Sequence, residues 1–407
     1  VKHVVIVGSG VGGTAAALAA SLAGARVTMI AGGTGASVLA TGALDENAWD
    51  SESDGAAPAA QLDARAREVL GALDAYVLPP RGVLLATMSG VVRPARGADR
   101  ALLDLSALPA SGVIAVPCFD HATWDGATLA RAWADAGHAR ERGLTFAALS
   151  TQLTRHTDER MAPDADLASR HDDSGRLAWL ATQLGDALAR LDARPAAVLL
   201  PPWLGVERAR GAALSQRVGT LCGEALGAPG GPSGLRFERA RDRALDAAQV
   251  EVVQGRARRV ERAGDGLCID LETREEIAAD AIVIATGGLV GGGLAYTPGG
   301  AVLAAAIPPS ARPLVSLTID APLALGAYGR PLDLPGSLFG AAPEAHAWPF
   351  ASDPMLDHAG VLADETGHVA AAPEGLFAAG ELLADRPRTW LAALASGVRA
   401  GTAAARA

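Results

Sequence analysis

Val4-Val5-Ile6-Val7-Gly8-Ser9-Gly10-Val11-Gly12-Gly13-Thr14-Ala15 is the stretch on which the reading of this chain turns. Four apolar residues in succession predict a parallel strand covered on both faces. The glycines that follow fit Gly-x-Gly-x-x-Gly, and Ala15 to Leu22 is a strong helix former. Strand, glycine turn and helix in that order are the physical context that a dinucleotide-binding turn requires. Gly8 permits the tight turn, Gly10 lets a pyrophosphate approach the backbone, and Gly13 lets strand and helix pack closely. The N-terminus of the helix that follows Gly12 and Gly13 offers N–H groups with no partner inside the helix and a dipole that favours phosphate. A structural turn without a ligand is the alternative, and the flanking elements in register favour a cofactor.

Outward from the turn, Val27 to Ile30 predicts a second buried strand. A site of this type carries an acidic residue at that strand's end to grip the adenosine ribose. Here Ala31-Gly32-Gly33 follow, and the next carboxylate is Asp45. Either the backbone and other groups hold the adenosine end, or the nucleotide is atypical.

The chain's 407 residues, 50% hydrophobic and 20% charged, suffice for one large or two ordinary domains. A net charge of -10 argues against general affinity for nucleic acid, whose phosphates need basic faces. Cys118, Cys222 and Cys268 offer no Cys-x-x-Cys pair and no zinc or iron–sulfur spacing, and the histidines form no metal-binding pattern. The sequence opens directly on the apolar strand, without a basic leader. The long uncharged stretch from Ala281 to Ala311 is broken by glycines and by Pro298, so it is no transmembrane helix. A cytoplasmic α/β protein is the expectation.

Further along, residues 56–78 predict a surface helix, 113–116, 144–146 and 197–200 strands, and 177–191 a helix. Thr154 to Asp173, highly charged, reads as an exposed loop. A helix from Phe237 to Ala247 precedes three short runs, Val250–Val253, Arg258–Arg262 and Leu267–Glu272, which read as a three-stranded antiparallel meander. Ala281–Ile284 and Leu376–Ala378 predict buried strands, and Gly397 to Arg406 a final helix. The fold class expected is a Rossmann-like α/β flavin-binding domain, a parallel sheet plus meander, with a second inserted α/β or α+β domain. Residues 1–50, 235–300 and 360–407 would form the first. Residues 51–234 and 301–359 would form a substrate, cap or partner-docking domain.

Two further segments favour flavin over nicotinamide. Ile284-Ala285-Thr286-Gly287-Gly288 ends one apolar strand, and Gly375-Leu376-Phe377-Ala378-Ala379-Gly380-Glu381 contains another. The order of these motifs resembles flavoproteins of the two-dinucleotide-binding-domain class. Within it, four segments resemble one family: Ala40-Thr41-Gly42-Ala43-Leu44-Asp45, the run Ala197 to Gly205, Pro232-Ser233-Gly234-Leu235-Arg236, and Ala285-Thr286-Gly287-Gly288. That family comprises the flavoproteins that accompany the homologous catalytic subunit in anaerobic glycerol-3-phosphate dehydrogenases. The resemblance implies FAD, with FMN as the alternative, and hydride transfer from a small anionic hydroxy substrate. It also implies a catalytic and an iron–sulfur partner subunit, through which the chain would lie peripheral to the inner membrane. A non-catalytic flavin-carrying subunit and a stand-alone flavin oxidase are the other readings. The chain departs from the family at Ala395-Ser396-Gly397 and at Ala384 to Trp390, where the family has small residues and a cysteine.

Gly8, Gly10, Gly12 and Gly13 are expected at the cofactor's phosphates, Thr286, Gly287 and Gly288 among its other contacts, and Thr41 and Gly42 at its phosphates or ring. Gly380, Glu381 and Gly397 are expected near the ribityl chain and ring, and Ala257 gives backbone contacts to adenine. Arg236 is the candidate for holding a substrate phosphate or carboxylate, since a guanidinium can do so bidentately. His346 is the candidate base for the substrate hydroxyl, because imidazole titrates near neutrality.

Overall fold

A computed structural model of the chain describes residues 1–44, 62–264, 266–298, 313–319, 329–330, 332–335 and 358–407. It divides into two units, Val1–Ser37 with Ala64–Leu70 and Ala244–Ala407, and Val38–Asp63 with Gly71–Arg243.

In the first unit, β1 (His3–Val7) turns into α1 (Val11–Leu22), which returns to β2 (Arg26–Ala31). A five-stranded parallel sheet results, in the order Glu251–Gln254, β2, β1, Ala281–Ile284, Leu376–Ala378. Val4, Val5, Ile6, Ile282, Val283 and Ile284 are wholly buried, as uninterrupted apolar strands in a doubly covered sheet must be. The chain runs from β1 to β2 on one side and returns to β1's other side with Ala281–Ile284. That reversal places a crevice at the C-terminal ends of the strands, where open α/β sheets bind ligands. The fold is Rossmann-like.

Two expectations shift here. Residues 250–253 do not begin the meander. The strand Glu251–Gln254 instead pairs in parallel with β2, Val253 opposite Ile30, because the preceding helix Pro232–Ala247 acts as a crossover. The antiparallel meander is Ala257–Ala263, Gly266–Leu271 and Glu276–Ala279. The C-terminal helix starts at Trp390 rather than Gly397, because the Thr389 hydroxyl accepts from Ala392 N (3.3 Å) and caps it.

That helix packs on α1 through small residues. A Cβ on Gly397 would overlap the carbonyl oxygen of Gly12, and one on Gly401 would overlap the backbone of Ala16. Backbone-to-backbone contact of this kind tolerates no side chain.

The second unit holds a four-stranded parallel sheet in the order Leu221–Glu224, Ala197–Leu200, Val113–Cys118, Thr145–Ser150. Its core includes Trp124 and Trp133, whose indole N–H groups donate to Pro117 O and Thr87 O. The segment 154–173 is not a loop. It forms a 3-10 turn, Thr157–Met161, and a helix, Asp164–Arg170, around the buried carboxylate of Glu159. Arg170 and Arg176 donate to Glu159 at 2.7 and 2.6 Å. Charges that suggest solvent in the sequence are here satisfied by one another.

Replacing Gly401 by Val is predicted to destabilise the chain by about 3 kcal/mol through overpacking against α1, read as a lower midpoint in denaturant unfolding. A midpoint equal to wild type would contradict the contact.

Candidate functional site

The three predicted motifs, far apart in the chain, end three adjacent strands. Gly8 follows β1, Ala285-Thr286-Gly287-Gly288 follows the next strand, and Gly380-Glu381 follows the outermost one. Gly8 adopts φ +112°, and a Cβ there would overlap the carbonyl oxygen of Ala285 and approach Thr286 N at 3.3 Å. A Cβ on Gly13 would overlap the Gly8 carbonyl, which is the strand–helix packing expected of it. A Cβ on Gly12 would lie 3.1 Å from Gly380 Cα. Gly288 abuts Glu381 and Arg388: its Cβ would meet their Oε2 and Nη1 atoms at 2.9 and 3.0 Å.

No sequence signal points to Arg388. Its guanidinium donates to Glu381 O and, at 2.6 Å, to Ala359 O, pinning the loop after Glu381. Gly380 N donates to Ser396 Oγ (3.0 Å). Ala384–Trp390 and Ala395–Gly397, where the chain departs from the resembled family, are therefore held by their own contacts. Gly397 itself is a helix-packing residue against Gly12 and Ala15.

The N-terminus of α1 begins at Gly10 with no side-chain cap of its own and no acidic residue in its first turn. Val11 N donates to Ser37 Oγ at 3.0 Å. Among the described residues the amides of Gly12 and Gly13 have no acceptor; the first intrahelical donor is Thr14 N, to Gly10 O. The Thr286 hydroxyl oxygen is likewise buried without a hydrogen-bond partner among the described residues. Open amides at a positive dipole end and an orphaned hydroxyl beside the glycine cradle suit a pyrophosphate with its attached sugar. The residues fit FAD. Ala257, at the start of the meander, pairs with Leu271 next to a register shift.

Thr41, Gly42 and Arg236 belong to the second unit. Asp99 N donates to Gly42 O (2.7 Å), and Arg236 Nε donates to Asp99 Oδ2 (2.7 Å). Arg236 is 2% exposed, and its partners Asp99 and Glu224 are 1% exposed. Its remaining nitrogens donate to Glu224 (2.6 Å), Gly205 O (2.6 Å) and Ser233 Oγ (3.0 Å). Every nitrogen of the guanidinium is thus engaged by the chain. The sequence reading of Arg236 as an anion grip gives way to an internal clamp holding Gly42, Asp99, Gly205 and Glu224 around one helix. It edges a cleft also lined by Asp74, Arg100, Glu207, Arg208 and Arg243. His346 lies outside the described residues, as does Asp45.

Spacing alone suggests no metal cluster, yet sheet register places Cys268, Asp270 and Glu276 with ligand atoms within 4.8 Å of one another on the meander. Carboxylates on a partly exposed sheet face need no ion. Among the described residues no helix is long and apolar enough to cross a membrane.

Two segments of the chain match known families: residues 3–90 match an FAD binding domain, and residues 235–289 match an FAD-NAD(P)-binding family. No curated protein matches. Among solved structures, the chain is similar to 3-ketosteroid Δ1-dehydrogenase from Sterolibacterium denitrificans (12% identity, 100% of each chain, TM-score 0.36). It is also similar to glycine oxidase from Geobacillus kaustophilus (14%, 100% of this chain and 93% of that one, 0.32) and to thioredoxin reductase from T. acidophilum (13%, 100% and 99%, 0.23). The two matched segments and the Rossmann-like fold mark an FAD-binding chain, with FAD as its cofactor.

The clamp is open to two measurements. Arg236→Ala leaves two buried carboxylates without their cation and should cost about 3–5 kcal/mol of stability; equilibrium unfolding measures it, and a loss under about 1 kcal/mol would contradict the geometry. Burial pushes the Glu224 carboxyl up to about 7, against the pull of Arg236 and with Asp99 adding to the rise. A folded pKa above the unfolded one means that the native state binds more protons between the two values, so this contribution is fully present at acid pH and lost as pH rises through about 7. The melting temperature of wild type minus that of Glu224→Gln should therefore fall as pH is raised from acid to mildly alkaline. A difference constant with pH would contradict it.

Proposed function

We propose that this flavoprotein oxidises a small anionic hydroxy compound, in the manner of the anaerobic glycerol-3-phosphate dehydrogenases that its sequence resembles. The observation that carries the reading is the convergence of three separate motifs at the C-terminal ends of adjacent strands. A plain nicotinamide dehydrogenase has no need to bring its last segment to that crevice.

When bound, FAD supplies the hydride-accepting ring. The chain's residues divide the remaining work. Gly8, Gly10, Gly12 and Gly13 admit the pyrophosphate, and the helix amides hold its charge. Thr286, Gly287 and Gly288 line the neighbouring strand end, and Gly380 and Glu381 face the ring side. His346 is the residue offered for taking the hydroxyl proton, and the second unit is offered as the substrate or docking domain. The support for an anionic substrate is the sequence resemblance and Arg208 at the second unit's cleft, where Arg100, Arg236 and Arg243 are engaged by Asp74, by Asp99 and Glu224, and by Glu207 O.

A second reading, a flavin-carrying subunit that passes electrons between partners without a substrate of its own, draws on the engagement of Arg236 by Asp99 and Glu224. Anaerobic reduction separates the two. The flavin-loaded chain mixed without oxygen with glycerol 3-phosphate, and in parallel with small hydroxy acids, should lose its visible flavin absorption with an anionic hydroxy compound. Absorption that dithionite bleaches but none of these compounds does would favour the carrier role.

A further inference from the structure

A dinucleotide site places a carboxylate at the end of its second strand because two ribose hydroxyls need an acceptor there. In this chain the strand ends at Ala31, and the structure puts the stem of an arginine at the same place. The Glu251–Gln254 strand runs parallel to β2, with Gln254 opposite Ala31, and Gly255 N donates to Ala31 O at 3.0 Å. Arg256 follows. A Cβ on Gly32 would come within 3.0 Å of Arg256 Cγ and 3.2 Å of Gly255 O. Glycine at 32 is therefore what allows the arginine stem to lie across the strand end.

Arg256 is exposed, and among the described residues its guanidinium makes no hydrogen bond or ion pair. Among the described residues Arg258 and Arg262 are likewise exposed without an ion pair, while Arg100 is paired with Asp74 and Arg239 with Glu207; what sets Arg256 apart is its stem against Gly32. From β2 the glycine loop leads back to the fingerprint: a Cβ on Gly35 would lie 3.0 Å from Gly10 Cα. Arg256, Gly32, Gly35 and Gly10 thus border one continuous stretch of backbone, free of side chains at the three glycines.

A guanidinium cannot accept from a ribose hydroxyl. It offers donors, a fixed positive charge and a flat face, all suited to phosphate and to a purine ring. We propose that Arg256 takes the place of the missing carboxylate and is the side chain that recognises the adenosine diphosphate half of FAD. The inference rests on the FAD reading and assigns a residue to it. Two consequences separate it from carboxylate recognition. FAD affinity falls with salt, because part of it is charge pairing at an exposed site. FMN, which has no adenosine half, gains nothing from Arg256.

The test is a fluorescence titration of the full chain, stripped of flavin, with FAD and with FMN at low and high salt, for wild type and Arg256→Ala. Arg256 is exposed and unpaired, so the variant should fold with the wild-type melting temperature. FAD should bind about tenfold more weakly to the variant, as for loss of a charged hydrogen bond, while FMN changes less than about twofold. The salt dependence of FAD binding should shrink in the variant. Unchanged FAD affinity, or equal loss for FAD and FMN, would overturn the role of Arg256. A wild-type chain that takes up neither flavin would instead overturn the FAD reading, and this inference with it.

Discussion

The carbonyl oxygen of Ala285 occupies the space where a side chain on Gly8 would stand. That contact fixes the distance between two neighbouring strand ends, and most of the first unit follows from it. Because Gly8 can turn with φ +112°, α1 starts immediately after β1 and points its unsatisfied amides into the crevice. Because Gly13 clears the Gly8 carbonyl, α1 can lie close on the sheet. Because Gly12, Gly397 and Gly401 have no side chains, the C-terminal helix can lie close on α1 and carry Gly380 to the same edge. A chain of backbone contacts, each needing glycine, builds the site.

The second unit is organised differently. Beside its apolar cores it has a buried polar junction, one arginine shared by two carboxylates in near-complete burial. Such an arrangement is costly to desolvate and adds little net stability over apolar packing, but losing one member is severe. Its effect here is positional: it ties Gly42, in the segment that resembles a flavin-contacting loop, to strands and loops far away in sequence. The same principle orders Thr157–Arg170 around Glu159.

The parallel strands and the fingerprint turn are legible in the sequence because uninterrupted apolar runs and glycine spacing are local signals. The adjacency of Gly8, Thr286 and Gly380 is legible only through resemblance, since sheet order is not encoded in any one segment. The role of Arg236 is not legible: buried and surface arginines look alike until Asp99 and Glu224 are brought to it from 137 and 12 residues away. Sequence assigns Val250–Val253 to the meander because alternation and length do not distinguish a meander strand from an edge strand in a parallel sheet. Arg256 stays hidden for the same reason, since its place beside Gly32 depends on that pairing. The ordered Thr157–Arg170 segment is the converse case, where charge density suggests solvent exposure and mutual pairing allows burial instead.

The central claim is that the glycine-lined crevice of the first unit holds FAD. Heat release of the chromophore from the purified chain, with chromatographic identification against FAD and FMN, tests it most directly. A yellow protein that releases FAD is the expected result. A colourless protein that stays colourless after incubation with FAD would contradict it.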